Sequence, residues 1–456
     1  MKDLLADVAT RAARYIAKVG DRRVAPLPED VARLENLAGP VPQGRSDPAE
    51  VLALLDEIGS PATVTTTGGR YYGFVNGGTL PAALAANWLA GAWDQNAAMY
   101  VMSPVAARLE EIVIGWMTDL LGLPAGSAGG FVTGTTAANF SGLAAARTAL
   151  LARAGWNVEE NGLFGAPPMR VIVSDEVHVS LLKALQMLGL GRSRVTRVPV
   201  DGQGRMKANS LPALDDKTLV CLQAGNVNTG AFDPANEICA RARETGAWVH
   251  VDGAFGLWAA VSPAYAHLVE GFGNADSWAI DCHKWLNVPY DSGFVVVRHG
   301  EYLRTAMSGS AAYLRPSDFR EPWHHAPEGS RRARGVEMWA AIRSLGRAGL
   351  REMIERNCRQ AKAFAKGLRD AGFEVLNDVV LNQVLVSFGS PEETRRVITG
   401  LQEDGTCWCG GTEWQGRTAM RISVCCWATT DADVERSLGA MIRVARARGL
   451  RHPGSG

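Results

Sequence analysis

Lys284 stands in a predominantly apolar run, Asp276-Ser277-Trp278-Ala279-Ile280-Asp281-Cys282-His283-Lys284-Trp285. A single lysine delivered in such surroundings suits Schiff-base chemistry, in which an amine condenses with a carbonyl. Thirty-two positions upstream of it is Asp252, in Val249-His250-Val251-Asp252-Gly253-Ala254. Period-two geometry puts His250 and Asp252 on one side of a strand, and the Gly-Ala that follows lets a flat ligand approach closely. Ser174-Asp175-Glu176-Val177-His178 places His178 at or near the first turn of a helix. A lone histidine there is more often structural than catalytic. Val132-Thr133-Gly134-Thr135-Thr136-Ala137-Ala138-Asn139 opens another helix. Small hydroxylated residues at a helix start offer hydroxyls, N–H groups and a positive dipole end to an anion such as phosphate, although an ordinary threonine cap explains them equally well. The segment is neither a Walker loop nor a GxGxxG fingerprint, which disfavours ATP and NAD. An aldehyde cofactor with a phosphate, a flat ring and a pyridine nitrogen needs an anion cradle, a stacking imidazole, a carboxylate and a lysine. Thr135/Thr136, His178, Asp252 and Lys284 supply them in that order.

These residues need a scaffold that brings their loops to one edge. Arg170–Ser174, Leu219–Gln223 and Trp248–Asp252 are continuous apolar runs, as expected of parallel strands covered on both faces. Helical stretches near 136–154, 178–189 and 234–245 alternate with them, and Gly293–Arg298 adds a further strand. Ligands in such sheets sit beyond the carboxyl ends of the strands, where the candidates fall. Before this region, amphipathic helices are expected at about 2–18 and 48–58, then at 81–92 and 103–121, the last opened by Ser103-Pro104. The partition reads as an arm with a substrate-pocket loop (1–100), a cofactor-binding large domain (101–334) and a small α+β domain (335–456) entered by a long helix over 335–370. The whole has 456 residues, 47% of them hydrophobic, which excludes a disordered or collagenous chain. Equal numbers of basic and acidic residues, 47 of each, give no bulk reason to expect nucleic acid or an anionic membrane as partner. The amino terminus reads as an amphipathic helix and not as a signal peptide, and no run of 18 apolar residues spans a membrane. Eight scattered cysteines without CxxC spacing argue against a zinc ribbon. A cytoplasmic enzyme with free thiols is the expectation.

The chain resembles the pyridoxal-5′-phosphate-dependent group II amino-acid decarboxylases, the family of the aromatic-amino-acid and glutamate decarboxylases. The resemblance runs from about residue 60 to about 435. It rests on Gly68-Gly69-Arg70-Tyr71-Tyr72-Gly73-Phe74, Ser103-Pro104, Ser174-Asp175 with His178, His250-Val251-Asp252, His283-Lys284-Trp285, Ser330-Arg331-Arg332-Ala333-Arg334 and Met420-Arg421-Ile422-Ser423-Val424. It implies an α/β chain of the aspartate-aminotransferase fold (type I), with a mainly parallel central sheet. The activity implied is decarboxylation of an L-amino acid, aromatic or apolar by preference, to the amine and carbon dioxide through an external aldimine and a quinonoid. Lys284 would form the internal aldimine and carry protons, and Asp252 would pair with the pyridinium nitrogen. His178 would stack on the ring. Thr135, Thr136 and His283 would contact the phosphate, with Ala254 also against the cofactor. Phe74, Asn76 and Arg421 would serve the substrate, in a homodimer whose subunits share the active site.

Several positions depart from the family pattern. Asn226 takes the place of a threonine near the cofactor phenolate, and an amide can donate the same bond. Asp281 stands where many members have asparagine, and an ionised carboxylate cannot donate to phosphate. Family decarboxylases use a mobile-loop tyrosine to protonate the carbanionic intermediate, yet no tyrosine lies between Arg315 and Arg332. Phe319 cannot donate a proton, whereas His325 or His324 could. In related enzymes, loss of that tyrosine diverts the reaction toward oxygen-dependent aldehyde formation or deamination. An aminotransferase, a C–C lyase or aldolase, and an aldehyde synthase therefore remain alternatives, as does a non-catalytic relative. No metal is expected at the paired histidines, which lack a suitably spaced acidic or cysteine partner. Arg70 is the one cation in the pocket segment that could argue for an acidic substrate.

Overall fold

The computed structural model describes residues 1–309 and 318–447. The aliphatic runs become seven strands: β1 Ala128–Val132, β2 Arg170–Ser174, β3 Thr196–Val198, β4 Thr218–Gln223, β5 Trp248–Asp252, β6 Ser277–Asp281 and β7 Gly293–Val297. They form one sheet in the order β1-β7-β6-β5-β4-β2-β3. The pairs from β6 through β5, β4 and β2 to β3 are parallel. Helical crossovers join these strands, so their carboxyl ends share one edge. β7 runs antiparallel to both β6 and β1. The reason lies in the connection: only residues 282–292 join β6 to β7, and no crossover helix intervenes, so the chain must turn back. That short return carries His283 and Lys284.

Helix Thr135–Arg153 lies on this sheet and buries Ala138, Leu143, Ala144, Ala145, Ala149 and Leu150 in its core. Alanines on the inner face let the helix sit close, while each buried leucine contributes about 1.5–3 kcal/mol. Helix Pro104–Leu120 starts as the Ser103-Pro104 pair suggests, with the Ser103 hydroxyl accepting from the Ala106 N–H at 3.3 Å. Helix Gly335–Asp370 matches the long helical stretch, but Gly346 at φ 59° breaks it.

By contact density the chain divides into two units. One comprises residues 77–359 and 377–383 and contains the seven-stranded sheet. The other gathers residues 1–76, 360–376 and 384 onward. The arm read as 1–100 from sequence thus parts at residue 76. The second unit contains most of a four-stranded sheet of β8 Glu374–Val375, β9 Gln383–Ser387, β10 Gly410–Trp414 and β11 Arg417–Ser423, in the order β10-β11-β9-β8. Helices Pro391–Asp404 and Asp431–Ala447 belong with it, as do the amino-terminal helices Lys2–Lys18 and Pro48–Ala62. All eight cysteines are buried and none is in a disulfide. Among the described residues no helix is long and apolar enough to cross a membrane.

Candidate active site

Asp281 ends β6, and the geometry its identity left open is defined by three partners. Its Oδ2 lies 2.9 Å from Lys284 Nζ, three residues ahead. Its Oδ1 accepts the Thr135 N–H at 2.6 Å, at the first turn of the long helix. The same oxygen lies 3.3 Å from His283 Nε2. Burial pushes the Asp281 carboxyl up, but Lys284, His283 and Thr135 together hold it below the ordinary carboxylate range. The imidazole of His283 is held on both sides, because its Nδ1 accepts the Ser292 N–H at 3.1 Å. Its proton therefore resides on Nε2 and faces Asp281. Tyr290 stacks on it at 4.3 Å between ring centroids. His283 thus supports the carboxylate that holds Lys284.

Asp252 closes β5 beside this group. Its Oδ2 accepts from Asn139 Nδ2 at 3.1 Å and its Oδ1 from the Ala254 N–H at 3.3 Å. The carbonyl of Ala254 in turn accepts the Asp281 N–H at 3.0 Å, so one alanine ties the two acids together. Asn139 lies one turn beyond Thr135 and Thr136, so a single helix touches both acids. At the amino end of that helix Gly134 packs against Gly293; a Cβ on Gly293 would land on the Gly134 backbone. The Thr135 hydroxyl is buried and has no partner among the described residues. An anion at this helix terminus would satisfy it, so the donor set fits a phosphate ester.

His178 caps helix Val179–Met187. Its Nδ1 accepts the Ser180 N–H at 3.3 Å and meets the Ser180 hydroxyl at 2.7 Å. That fixes the ring and leaves the proton on Nε2. Asn226 follows β4 and is buried, but its side chain is largely committed. Its amide oxygen accepts the Asn228 and Thr229 N–H groups, and its amide nitrogen donates to Gln223 Oε1 at 3.3 Å. Asn226 therefore shapes the turn after β4, where the sequence suggested a direct donor to the cofactor.

The donor role expected of His325 is not favoured. Its Nδ1–H points to the Glu321 carbonyl at 3.2 Å, and burial with neighbouring Arg320 lowers its pKa to about 3. Such an imidazole is neutral near pH 7 and has no proton ready to give. His324 is also lowered by burial. Arg315, Pro316 and Ser317 of the loop lie outside the described residues. Phe319 stacks face to face on Tyr100, with centroids 3.8 Å apart. A phenol from a segment that sequence reading passed over therefore lies beside the phenylalanine; only the tertiary fold brings them together.

In the other unit, Arg421 on β11 pairs in register with Gly410 on β10, and burial lowers its pKa. Tyr71 stacks on Trp408 at 5.0 Å, and Phe74 tilts against the same indole at 5.5 Å. Trp408, between Cys407 and Cys409, was not singled out from sequence. Phe74 and Val75 both adopt left-handed backbone, at φ 52° and 61°, a strained pair of the kind found at binding loops. Phe74 is exposed and Asn76 half-buried beside it. Arg70, by contrast, is buried and donates to the backbone carbonyls of Gly20, Arg22 and Thr406, with Asp433 at 3.7 Å. It is a structural clamp, and the argument from Arg70 for an acidic substrate falls.

Residues 49–389 match the pyridoxal-dependent decarboxylase conserved domain. The chain belongs to this family. An aromatic-L-amino-acid decarboxylase of Bacillus atrophaeus is 26% identical over 92% of this chain and 89% of its own length. A phenylacetaldehyde synthase of a Rosa hybrid cultivar is 32% identical over 63% of this chain and 59% of its own. Among solved structures, an Oryza sativa enzyme described as TDC with PLP and tryptamine superposes with a TM-score of 0.90 at 22% identity, covering 99% of this chain and 98% of that one. This pyridoxal-dependent decarboxylase is thus a pyridoxal-phosphate-dependent carboxy-lyase of fold type I, acting in amino-acid metabolism.

Proposed function

We propose that the chain removes the α-carboxylate of an aromatic or apolar L-amino acid and releases the amine and carbon dioxide. The observation that carries this reading is the ion pair of Lys284 with Asp281 beside the Asn139-held carboxylate of Asp252. Thr135 and Thr136 would hold the phosphate, and Lys284 Nζ would hold the carbonyl carbon. Asp252 would keep a proton on the ring nitrogen, and His178 would lie against the ring. When bound, the cofactor supplies an electron sink conjugated to the bond that breaks. Phe74, Asn76 and Arg421 would serve the substrate. The aromatic group of Tyr71, Phe74 and Trp408, and the absence of Arg70 from any ligand role, support an aromatic side chain over an acidic one. A homodimer fits the exposed Leu5 and Ile16 on helix Lys2–Lys18 and Val51, Leu54 and Leu55 on helix Pro48–Ala62.

A second reading rests on Phe319. Phe319 has no proton to donate, and without a donor at that place the amino acid would react with oxygen and water to give an aldehyde, carbon dioxide, ammonia and hydrogen peroxide. The rose phenylacetaldehyde synthase among the relatives supports keeping it. An amino-acid panel separates the two. Carbon dioxide matched by an equal amount of amine supports the first; aldehyde and peroxide in place of amine overturn it. Lys284→Ala should lose the borohydride-trappable cofactor adduct, and a retained adduct would remove Lys284 from the scheme.

A further inference from the structure

Behind Asp252 runs a buried chain of hydrogen bonds. Trp248 Nε1 lies 2.9 Å from Ser277 Oγ, which lies 2.8 Å from His250 Nδ1. His250 Nε2 lies 2.9 Å from Asn139 Oδ1, and Asn139 Nδ2 reaches Asp252 Oδ2 at 3.1 Å. His250, Asn139 and Ser277 are each fully buried. The direction is read from the carboxylate end. An ionised carboxylate can only accept, so Asn139 turns its amide hydrogens to Asp252 and its Oδ1 to His250, whose Nε2 must donate. On a neutral ring Nδ1 then accepts the Ser277 hydroxyl hydrogen, and Ser277 accepts from the Trp248 indole, which can only donate. Reversing one link reverses the next, until the Asn139 carbonyl opposes the Asp252 carboxylate.

We propose that His250 is a positioning residue for the reaction: held as the neutral Nε2–H tautomer, it orients Asn139 as a donor and so stabilises the charge on Asp252. This rests on the reading that Asp252 faces the ring nitrogen of the cofactor. A doubly protonated His250 would be a buried cation whose two ring nitrogens meet only the uncharged Ser277 and Asn139. Burial lowers the His250 pKa to about 3, in keeping with a ring that stays neutral. The groups facing it complete the case. A Cβ at Gly142 would lie 2.7 Å from His250 Cε1, so the helix leaves room for this ring and no more. Cys221, paired in register with His250 on β4, has its thiol pushed far up by burial and stays neutral. Every donor in the chain points toward Asp252, and a carboxylate so served keeps the ring nitrogen protonated as the electron sink requires.

The test uses the holoenzyme loaded with pyridoxal phosphate labelled with ¹⁵N in the ring, read by solid-state NMR at neutral pH. The wild type should show the protonated shift. His250→Leu should move the equilibrium at least about tenfold toward the neutral nitrogen and lower kcat at least about tenfold, with KM changed far less. His250→Gln can donate to Asn139 and accept from Ser277 in the same sense, so it should restore the protonated shift. If His250→Leu does not fold, Ser277→Ala, which keeps the imidazole but frees its tautomer, should move the shift in the same direction. A wild-type shift in folded His250→Leu or Ser277→Ala, or a neutral nitrogen in folded His250→Gln, overturns the proposal. Asp252→Asn separates the two levels: if it leaves the shift unchanged, the placement of Asp252 is wrong; if only Asp252→Asn moves it, the role of His250 is wrong.

Discussion

Glu110 offers a prediction that can be worked through from distances. Its carboxylate lies between two arginines from the far side of the loop. Arg331 Nη2 is 2.9 and 3.1 Å from the two oxygens, and Arg320 Nη1 is 3.1 Å from one of them. Glu110 and Arg331 are buried. The same arginines clamp β1: Arg331 donates to the Phe131 carbonyl at 2.8 Å and Arg320 to the Gly129 carbonyl at 2.7 Å. Glu110→Gln keeps the shape and removes the charge, leaving the buried Arg331 guanidinium without its ion-pair partner. Breaking a buried pair in this way costs about 3–5 kcal/mol. For a unit of this size each kcal/mol lowers Tm by roughly 2–4 °C, so a fall of roughly 6–20 °C is expected. Urea denaturation and thermal melts of the cofactor-loaded protein measure it. Removing both partners, as in Glu110→Met with Arg331→Met, should cost less than the single change, because no buried charge is then left unpaired. A loss under about 1 kcal/mol for Glu110→Gln, or a double variant that loses more than the single change, would refute the reasoning.

Three further outcomes follow from the site. Asp281→Asn should bind pyridoxal phosphate roughly 5–30 times more tightly in a fluorescence titration. The Thr135 N–H now engages a charged acceptor, a bond about 1–2 kcal/mol stronger than to a neutral one, and the phosphate must win it; weaker binding would contradict this. Gly293→Ala should weaken cofactor binding about tenfold or more, because its methyl group displaces the Gly134 backbone at the phosphate end; unchanged affinity would show that the cradle tolerates the shift. His325, with a folded pKa of about 3 against an ordinary 6.5, binds its proton more readily when unfolded. Its contribution is therefore full above pH 6.5 and is lost as pH falls toward 3. His325→Gln should flatten the fall in stability between pH 6 and 4 by up to about 1.4 kcal/mol per pH unit, in urea titrations compared with wild type. An unaltered slope would place that proton elsewhere.

The positions of Asp252 and the Gly134-Thr135-Thr136 turn were legible in the sequence because one ends a strand and the other starts a helix, and Lys284 follows a strand end by three residues; a strand end is visible in a run of four or five residues. The parallel strands and the amphipathic helices were legible for the same reason: periodicity is a local property of the chain. Roles that depend on partners distant in sequence were not. Asn226 holds a turn, Arg70 clamps three carbonyls and His325 is kept neutral. No residue type reveals such engagement in advance. Asp281 makes the point most clearly. Its identity predicted a carboxylate near a phosphate, which in isolation is unfavourable. Only the fold brings Thr135, 146 positions away, into contact with it, so that one buried charge holds both the lysine and the helix end. Sequence sets which charges exist; burial and partners, which are properties of the packed chain, decide their state and what they do.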